Sequence, residues 1–159
     1  MSEAIKTLST IFKFDDSLFF EKIASLEDGV TVKTVSGQAN PILWLAGHLL
    51  NSRRHMLELL GTKKDLQWAP FIRSAYDAST EYPKMSDIKE TWSEISGQLF
   101  EALDQVSDED LDRKLDYELP HGDNTVRGSI IFWAYHEAWH LGQIAYIRKC
   151  IGMEGLVPY

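Results

Sequence analysis

The sequence has a single cysteine, Cys150, so the chain cannot form an internal disulfide bond. It also lacks any apolar run of the roughly 18 residues that would span a bilayer. Its first residues lack the long apolar stretch of a secretion signal. We therefore expect a soluble protein of the reducing cytoplasm that has no membrane partner.

Basic residues are also few, with 16 Lys and Arg against 24 Asp and Glu, which gives a net charge of −8. Phosphate backbones and anionic membranes are bound through clustered Lys and Arg, so this composition argues against a nucleic-acid partner. The sequence shows no repeat, low-complexity tract or domain linker, and 44% of its residues are hydrophobic. We expect residues 1–159 to form one domain with a sizeable core.

Apolar residues that recur at steps of three and four predict four long helices. These helices span residues 3–26, residues 41–60, a stretch that begins near residue 86, and residues 125–150. Asn40 is expected to cap the second helix, Pro41 to occupy its first position and Gly61 to end it. Four such helices in a chain of this size favour an all-α four-helix bundle, although periodicity does not fix their directions.

The predicted connections include one long segment, residues 62–85, which loses helical periodicity but keeps several apolar side chains. Such a length is uncommon in a compact domain, so we expect it to pack on the bundle as a lid or a crossover. Residues 107–110 resemble a short capped turn, and residues 114–119 suggest a brief extended segment.

His136 and His140 are the most informative residues, because an i, i+4 pair projects both imidazoles from one helix face. A catalytic metal needs about three protein ligands and an open position. His48, inside an apolar stretch of the second helix, is the best candidate for the third. A shared cation would satisfy one nitrogen of each inward ring. The alternative is that each histidine is a core residue bonded to a carbonyl or a serine.

The segment also matches the His-Glu-x-x-His pattern of zinc proteases, in which the Glu polarises a metal-bound water. The extended protease motif is not met, because Gln143 stands where it has Gly and Tyr146 where it has His. A protease is therefore disfavoured. We expect Glu137 to be a solvated residue of the helix surface, and contact with metal-bound water is the alternative.

Other residues near the histidines are candidates for a supporting role. Gln143, one turn after His140, could orient a ligand or bind a substrate, or it could be an amide that faces a neighbouring helix. Trp44, Ser52 and Trp133 are candidates for a pocket or for support of the ligands. For these tryptophans, and for Trp139, the alternative is plain core volume.

The remaining polar candidates lie farther from the pair of histidines. His55 faces the same way as His48 but lies two turns, about 10 Å, along the helix, so we expect it to line a pocket or the end of the bundle rather than to bind the same ion. The role of His121, in a Pro-Gly turn, stays open. Cys150 is expected to serve packing, because its basic neighbours alone do not indicate an activated nucleophile.

The stretches 44–49, 125–128 and 136–144 resemble the DinB-like and YfiT-like four-helix bundle metalloproteins. The resemblance implies a left-handed bundle of up-down-down-up order. It also implies a divalent metal held by His48, His136 and His140, commonly zinc or nickel. Relatives often pair, so a homodimer is expected.

The same resemblance guides the expected activity. Characterised relatives include thiol-dependent S-transferases and a mycothiol-dependent isomerase. We therefore expect a small-molecule substrate and transfer of a low-molecular-weight thiol to a small electrophile. Metal-assisted hydrolysis is the rival chemistry, and a non-catalytic, stress-associated metal-binding bundle is the alternative from another class.

Overall fold

The computed structural model describes residues 3–35, 37, 39–72, 75–120 and 123–157. Across these ranges the chain is helical, and it contains no strand beyond one isolated bridge that pairs Lys114 with Thr125. The helices are α1 (Glu3–Lys22), α2 (Asp28–Thr31), α3 (Ile42–Leu59), α4 (Met85–Gln105), α5 (Asp108–Asp112) and α6 (Val126–Cys150), with a 3₁₀ turn at Ala69–Ile72. The long helices are α1, α3, α4 and α6, which confirms the all-α prediction.

The first helix is shorter than predicted, because α1 ends at Lys22 and not near residue 26. The N–H of Ala24 reaches back five residues to the carbonyl of Phe19 at 2.9 Å, which widens and ends the helix. Ile23 in this turn remains fully buried, so the apolar pattern continues past the helix end. The short helix α2 follows this turn.

The start of α3 also differs from the prediction. The helix begins at Ile42, with Pro41 just before it, and no side chain caps its first amides. Instead of capping, the side-chain oxygen of Asn40 accepts a hydrogen bond from the backbone N–H of Tyr76 at 3.3 Å. Asn40 therefore ties the helix start to the long connection. Gly61 does end the helix, with a φ of +98° that favours glycine.

Two of the helices, α4 and α6, each pack against both α1 and α3. The core between them is apolar and includes Phe19, Leu45, Leu49, Trp92, Ile95 and Ile144 at one end, and Ile5, Phe12, Met56, Leu99 and Ile130 at the other. The rings of Phe19 and Trp92 stack with centroids 3.9 Å apart. This packing brings α3 alongside α6, the two helices that carry the three histidines.

The long connection packs on the bundle, as expected, since the 3₁₀ turn Ala69–Ile72 contacts α3 and Ile72 is 1% exposed. The close approach depends on Gly47, because a Cβ there would lie 3.3 Å from Cγ2 of Ile72. The predicted capped turn is α5, in which the backbone N–H of Asp110 donates to the Ser107 hydroxyl. Among the described helices, none combines the length and apolarity of a membrane span.

Candidate metal centre

Three imidazoles meet between α3 and α6. The Nε2 atom of His136 lies 3.1 Å from Nε2 of His48 and 3.0 Å from Nε2 of His140. One ligand atom from each of the three rings lies within 4.8 Å of the others, and all three side chains are half-buried. The structure therefore brings together the three residues that the sequence singled out.

Two of the rings are oriented by acceptors on their far side. Nδ1 of His48 donates to the backbone carbonyl of Ile72 at 3.0 Å, and Nδ1 of His140 donates to Oε1 of Gln143 at 2.6 Å. Because each Nδ1 carries the proton, each neutral ring presents a lone pair at Nε2, which is the arrangement of metal-binding histidines. Gln143 thus orients His140, one of the two roles expected for it.

His136 lies between these two lone pairs. Its Nε2 can donate a proton to only one of the two neighbouring Nε2 atoms, and in the described part of the chain its buried Nδ1 has no hydrogen-bond partner. At least two lone pairs therefore face each other without a proton between them. Such a donor set fits a cation. Imidazole–metal bonds of about 2.0–2.1 Å place neighbouring ligand atoms roughly 3 Å apart, as observed for the two pairs that include His136.

A proton is a poor substitute for that cation near neutral pH. Burial lowers the pKa of His48 and of His140 below the usual value. Burial, together with the charges that His140 and His48 would carry, lowers the pKa of His136 to about 3. All three imidazoles are therefore neutral at pH 7, which is the form that binds metal.

The donor set leaves room for further ligands. Among the described residues, the group that could hold a metal consists of these three imidazoles and includes no carboxylate or thiolate. Structural zinc sites are closed by four protein ligands, whereas catalytic sites keep a position open. Three imidazoles therefore match the ligand count of an open site.

The residues expected around the histidines have different roles. The Trp44 ring stacks on His48 with centroids 4.8 Å apart, and Trp133 meets His136 edge-on at 5.1 Å. Both tryptophans thus form walls of the site. Ser52 contacts no ring of the site through a hydrogen bond, because its hydroxyl donates to the backbone carbonyl of His48 at 3.0 Å.

The prediction for Glu137 was wrong, because this side chain is fully buried and not on the solvated surface. It accepts hydrogen bonds from Nε and Nη2 of Arg53, a residue of α3 that is also fully buried. The buried stripe of α6 runs through Ile130, Ala134, Glu137, Leu141 and Ile144, so the histidines lie at its edge. A helical wheel that takes His136 as the centre of the buried face therefore places the core about 100° away from its true direction.

Arg53 connects all four long helices, a role that the sequence reasoning missed. Besides bonding Glu137 of α6, its Nη1 donates to Asp16 of α1 at 2.8 Å and to Ser96 of α4 at 2.6 Å. Asp16 also accepts from the indole of Trp92 at 2.7 Å. The available signal was the position of Arg53, four residues after the core residue Leu49 and three before Met56.

Four further expectations have separate outcomes. His55 lies outside the ligand group and its ring lies 5.6 Å from that of Trp133, as expected for a residue beside the site. His121 lies outside the described residues. The packing role of Cys150 was wrong because its side chain is exposed. Trp139 is 56% exposed, so the core-volume alternative fails for it, whereas Trp44 is buried and belongs to the core.

Comparison with known families identifies a relationship for most of the chain. Residues 17–144 match the family model described as the DinB superfamily. No curated protein matches the chain. The matched stretch contains α3 and most of α6, and with them all three histidines of the site.

Proposed function

The chain belongs to the DinB superfamily, and we propose that it is an enzyme whose divalent cation is held by His48, His136 and His140. The observation that carries the proposal is the convergence of three Nε2 atoms, two of which are held as lone-pair donors by the acceptors behind their rings. The superfamily is metal-binding, which agrees with this donor set.

Different residues of the chain would orient the ligands and exclude water at this centre. Ile72 and Gln143 hold the rings of His48 and His140, while Trp44 and Trp133 exclude water from two sides. A divalent cation bound there supplies Lewis-acid chemistry, which stabilises the anionic form of a nucleophile near neutral pH. Neutral imidazoles do not reduce the charge of that cation, and they suit zinc, copper, iron and nickel. Of these we propose zinc or nickel, the metals that the resemblance to DinB-like proteins implies.

The reaction that we propose is transfer of a low-molecular-weight thiol to a small electrophile. The thiol sulfur forms a bond to an electrophilic carbon, and the bond from that carbon to its leaving group breaks with its electron pair. The thiol proton passes to solvent or to the leaving group. The open ligand count supports this proposal, because a nucleophile needs a free position beside the three rings.

The ligand set is tested by metal analysis of purified protein after dialysis against zinc or nickel. We expect about one ion per chain in the native protein and in His55→Ala, a matched control because His55 lies on the same helix outside the ligand group. His48→Ala is expected to lose the ion while its far-ultraviolet circular dichroism stays helical. Metal retained by His48→Ala would show that the ligand set is wrong.

The reaction is tested with the metal-loaded protein, a chromogenic aryl halide and either cysteine or glutathione. We expect thiol consumption that depends on the metal and disappears in His48→Ala. Cleavage of a nitrophenyl ester without any thiol would favour metal-assisted hydrolysis instead. Metal binding without either activity across a panel of thiols and electrophiles would favour the non-catalytic bundle.

Pairing of two copies and a cytoplasmic location stay predictions from the sequence.

A further inference from the structure

A cavity of about 400 Å³ opens directly beside the three histidines. We call it the aromatic cavity, and its described lining consists of Pro120, Phe132, Tyr135, His136, Trp139 and His140. Two of these residues belong to the candidate metal centre, so a molecule in the cavity would border the cation. The volume lies within the range of about 300–1,000 Å³ that is typical of small-molecule sites.

The described lining is mostly aromatic and includes no Asp, Glu, Lys or Arg. Tyr135 and Trp139 form an edge-to-face pair with centroids 5.9 Å apart, and Phe132 lies 6.0 Å from the ring of His136. Flat apolar groups pack well against such rings, and the side chains of the lining offer a charged group no oppositely charged partner.

Tyr135 and Trp139 are also far more exposed than aromatic residues of a core. Their relative exposures are 57% and 56%, although both lie on a helix that buries much of its surface in the bundle. Core packing therefore does not explain these two rings. They stand one helical turn apart and flank the same opening as His136 and His140.

We propose that the aromatic cavity binds an uncharged aromatic group of the substrate and so presents its reacting atom to the metal centre. This inference rests on the proposed function, because it assigns a substrate class to that site. The residues that would recognise the group are Phe132, Tyr135 and Trp139, and Pro120 completes the wall.

A second cavity of about 580 Å³ also borders Trp139 and provides an internal control. Its lining includes Gly142, Gln143 and Tyr146, and Tyr146 does not line the aromatic cavity. Tyr146 is 65% exposed and lies on the same helix as Tyr135. Tyr135→Ala and Tyr146→Ala are therefore matched variants that remove the same exposed ring from different cavities.

The test uses protein labelled with ¹⁵N-tryptophan, which gives indole signals from its 5 tryptophans. The Trp139 signal is assigned with Trp139→Phe, and the buried Trp92 indole serves as an internal reference. The probes are 2-naphthalenemethanol, which is uncharged, and 2-naphthalenesulfonate, which has the same ring system and a negative charge. We expect the uncharged probe to shift the Trp139 signal in a saturable way. In a chelator-treated aliquot, where no cation attracts the sulfonate, we expect the charged probe to bind more weakly.

The variants decide between the two cavities. Tyr135→Ala is expected to weaken binding of the uncharged probe by about fivefold, as loss of one aromatic contact predicts, while Tyr146→Ala leaves it unchanged. Equal binding of the two probes, no shift of Trp139, or weakening by Tyr146→Ala alone would overturn the inference.

Metal content is measured on the same samples, which separates this inference from the proposed function. Bound metal in a protein that ignores 2-naphthalenemethanol overturns the substrate class and leaves the metal centre standing. Binding of the probe with the expected response to Tyr135→Ala, in a protein that takes up no metal, supports the cavity and overturns the metal centre.

Discussion

Arg53 and Glu137 form a buried ion pair between α3 and α6, and both side chains are 1% exposed or less. Arg53 lies five residues after His48, and Glu137 directly follows His136. The pair therefore holds together the two helix segments that carry the candidate ligands. It also explains how a charged side chain occupies the centre of the buried stripe of α6.

Removal of Glu137 is expected to destabilise the fold strongly. Glu137→Ala leaves the guanidinium of Arg53 buried without its main partner, and such a loss typically costs about 3–5 kcal/mol. Urea unfolding monitored by circular dichroism, with a chelator present to exclude metal effects, measures the change. Glu58→Ala is the control, because Glu58 is exposed and its buried partner Arg54 keeps hydrogen bonds to Asn51 and to the backbone carbonyl of Lys64. We expect this variant to lose about 0–1 kcal/mol. Equal losses in the two variants would contradict the role of the buried pair.

Asp15 is expected to make stability depend on pH. Burial and the nearby charge of Glu137 raise its pKa to about 7, although Arg53 opposes the shift, and the side chain is 6% exposed. The unfolded pKa is about 3.9, so the native state binds more protons between about pH 4 and pH 7. The contribution of this group to the free energy of unfolding is therefore fully present below about pH 4, and it is lost as the pH rises through 7.

The prediction is tested by comparing Asp15→Asn with the native chain at pH 5 and at pH 8. From pH 5 to pH 8, the free energy of unfolding of the variant should rise by about 2–3 kcal/mol relative to that of the native chain. The reason is that only the native chain must ionise the buried group. The difference between the two proteins removes the contributions of the histidines, which are common to both. A difference that does not change with pH would contradict the raised pKa of Asp15.

Gln143 is expected to affect metal affinity through His140. Gln143→Leu removes the acceptor of the Nδ1 proton, and loss of such a partner typically lowers metal affinity about 10–100-fold. Competition for zinc with a chelating dye measures the affinity. Gln143→Glu keeps an acceptor at this position and should retain tight binding. Equal affinities in the Leu and Glu variants would show that this hydrogen bond does not orient the ligand.

Periodicity predicted the features that depend on local spacing. It located the long helices and placed His136 and His140 on one face of α6, and the apolar surroundings of His48 pointed to α3. It did not show that Ile72 would accept a hydrogen bond from His48, because the acceptor is a backbone carbonyl that any residue possesses. The position of such an acceptor depends on how residues 62–72 pack, and no residue type encodes it.

The buried polar cluster was missed for a different reason. A helical wheel treats Arg53 and Glu137 as marks of a solvated face, whereas each neutralises the other across two helices. The pairing joins residues 84 positions apart, so it has no local periodicity to detect. Asn40 misled similarly, because its side chain suits both a helix cap and the contact with Tyr76 that the fold uses.

Two glycines of α6 are expected to respond in opposite ways to the same substitution. A Cβ at Gly142 would meet no atom within 4 Å, and alanine in a helix interior is about 0.5–1 kcal/mol more favourable than glycine. A Cβ at Gly128 would instead overlap the backbone carbonyl of Asp123, next to the Thr125 cap of α6. That carbonyl is held in place because it accepts a hydrogen bond from the backbone N–H of Thr125 at 2.8 Å. Overpacking of this kind typically costs about 1–3 kcal/mol. Urea unfolding should therefore show that Gly142→Ala is more stable and Gly128→Ala less stable than the native chain, and changes of the same sign would contradict the packing at the start of α6.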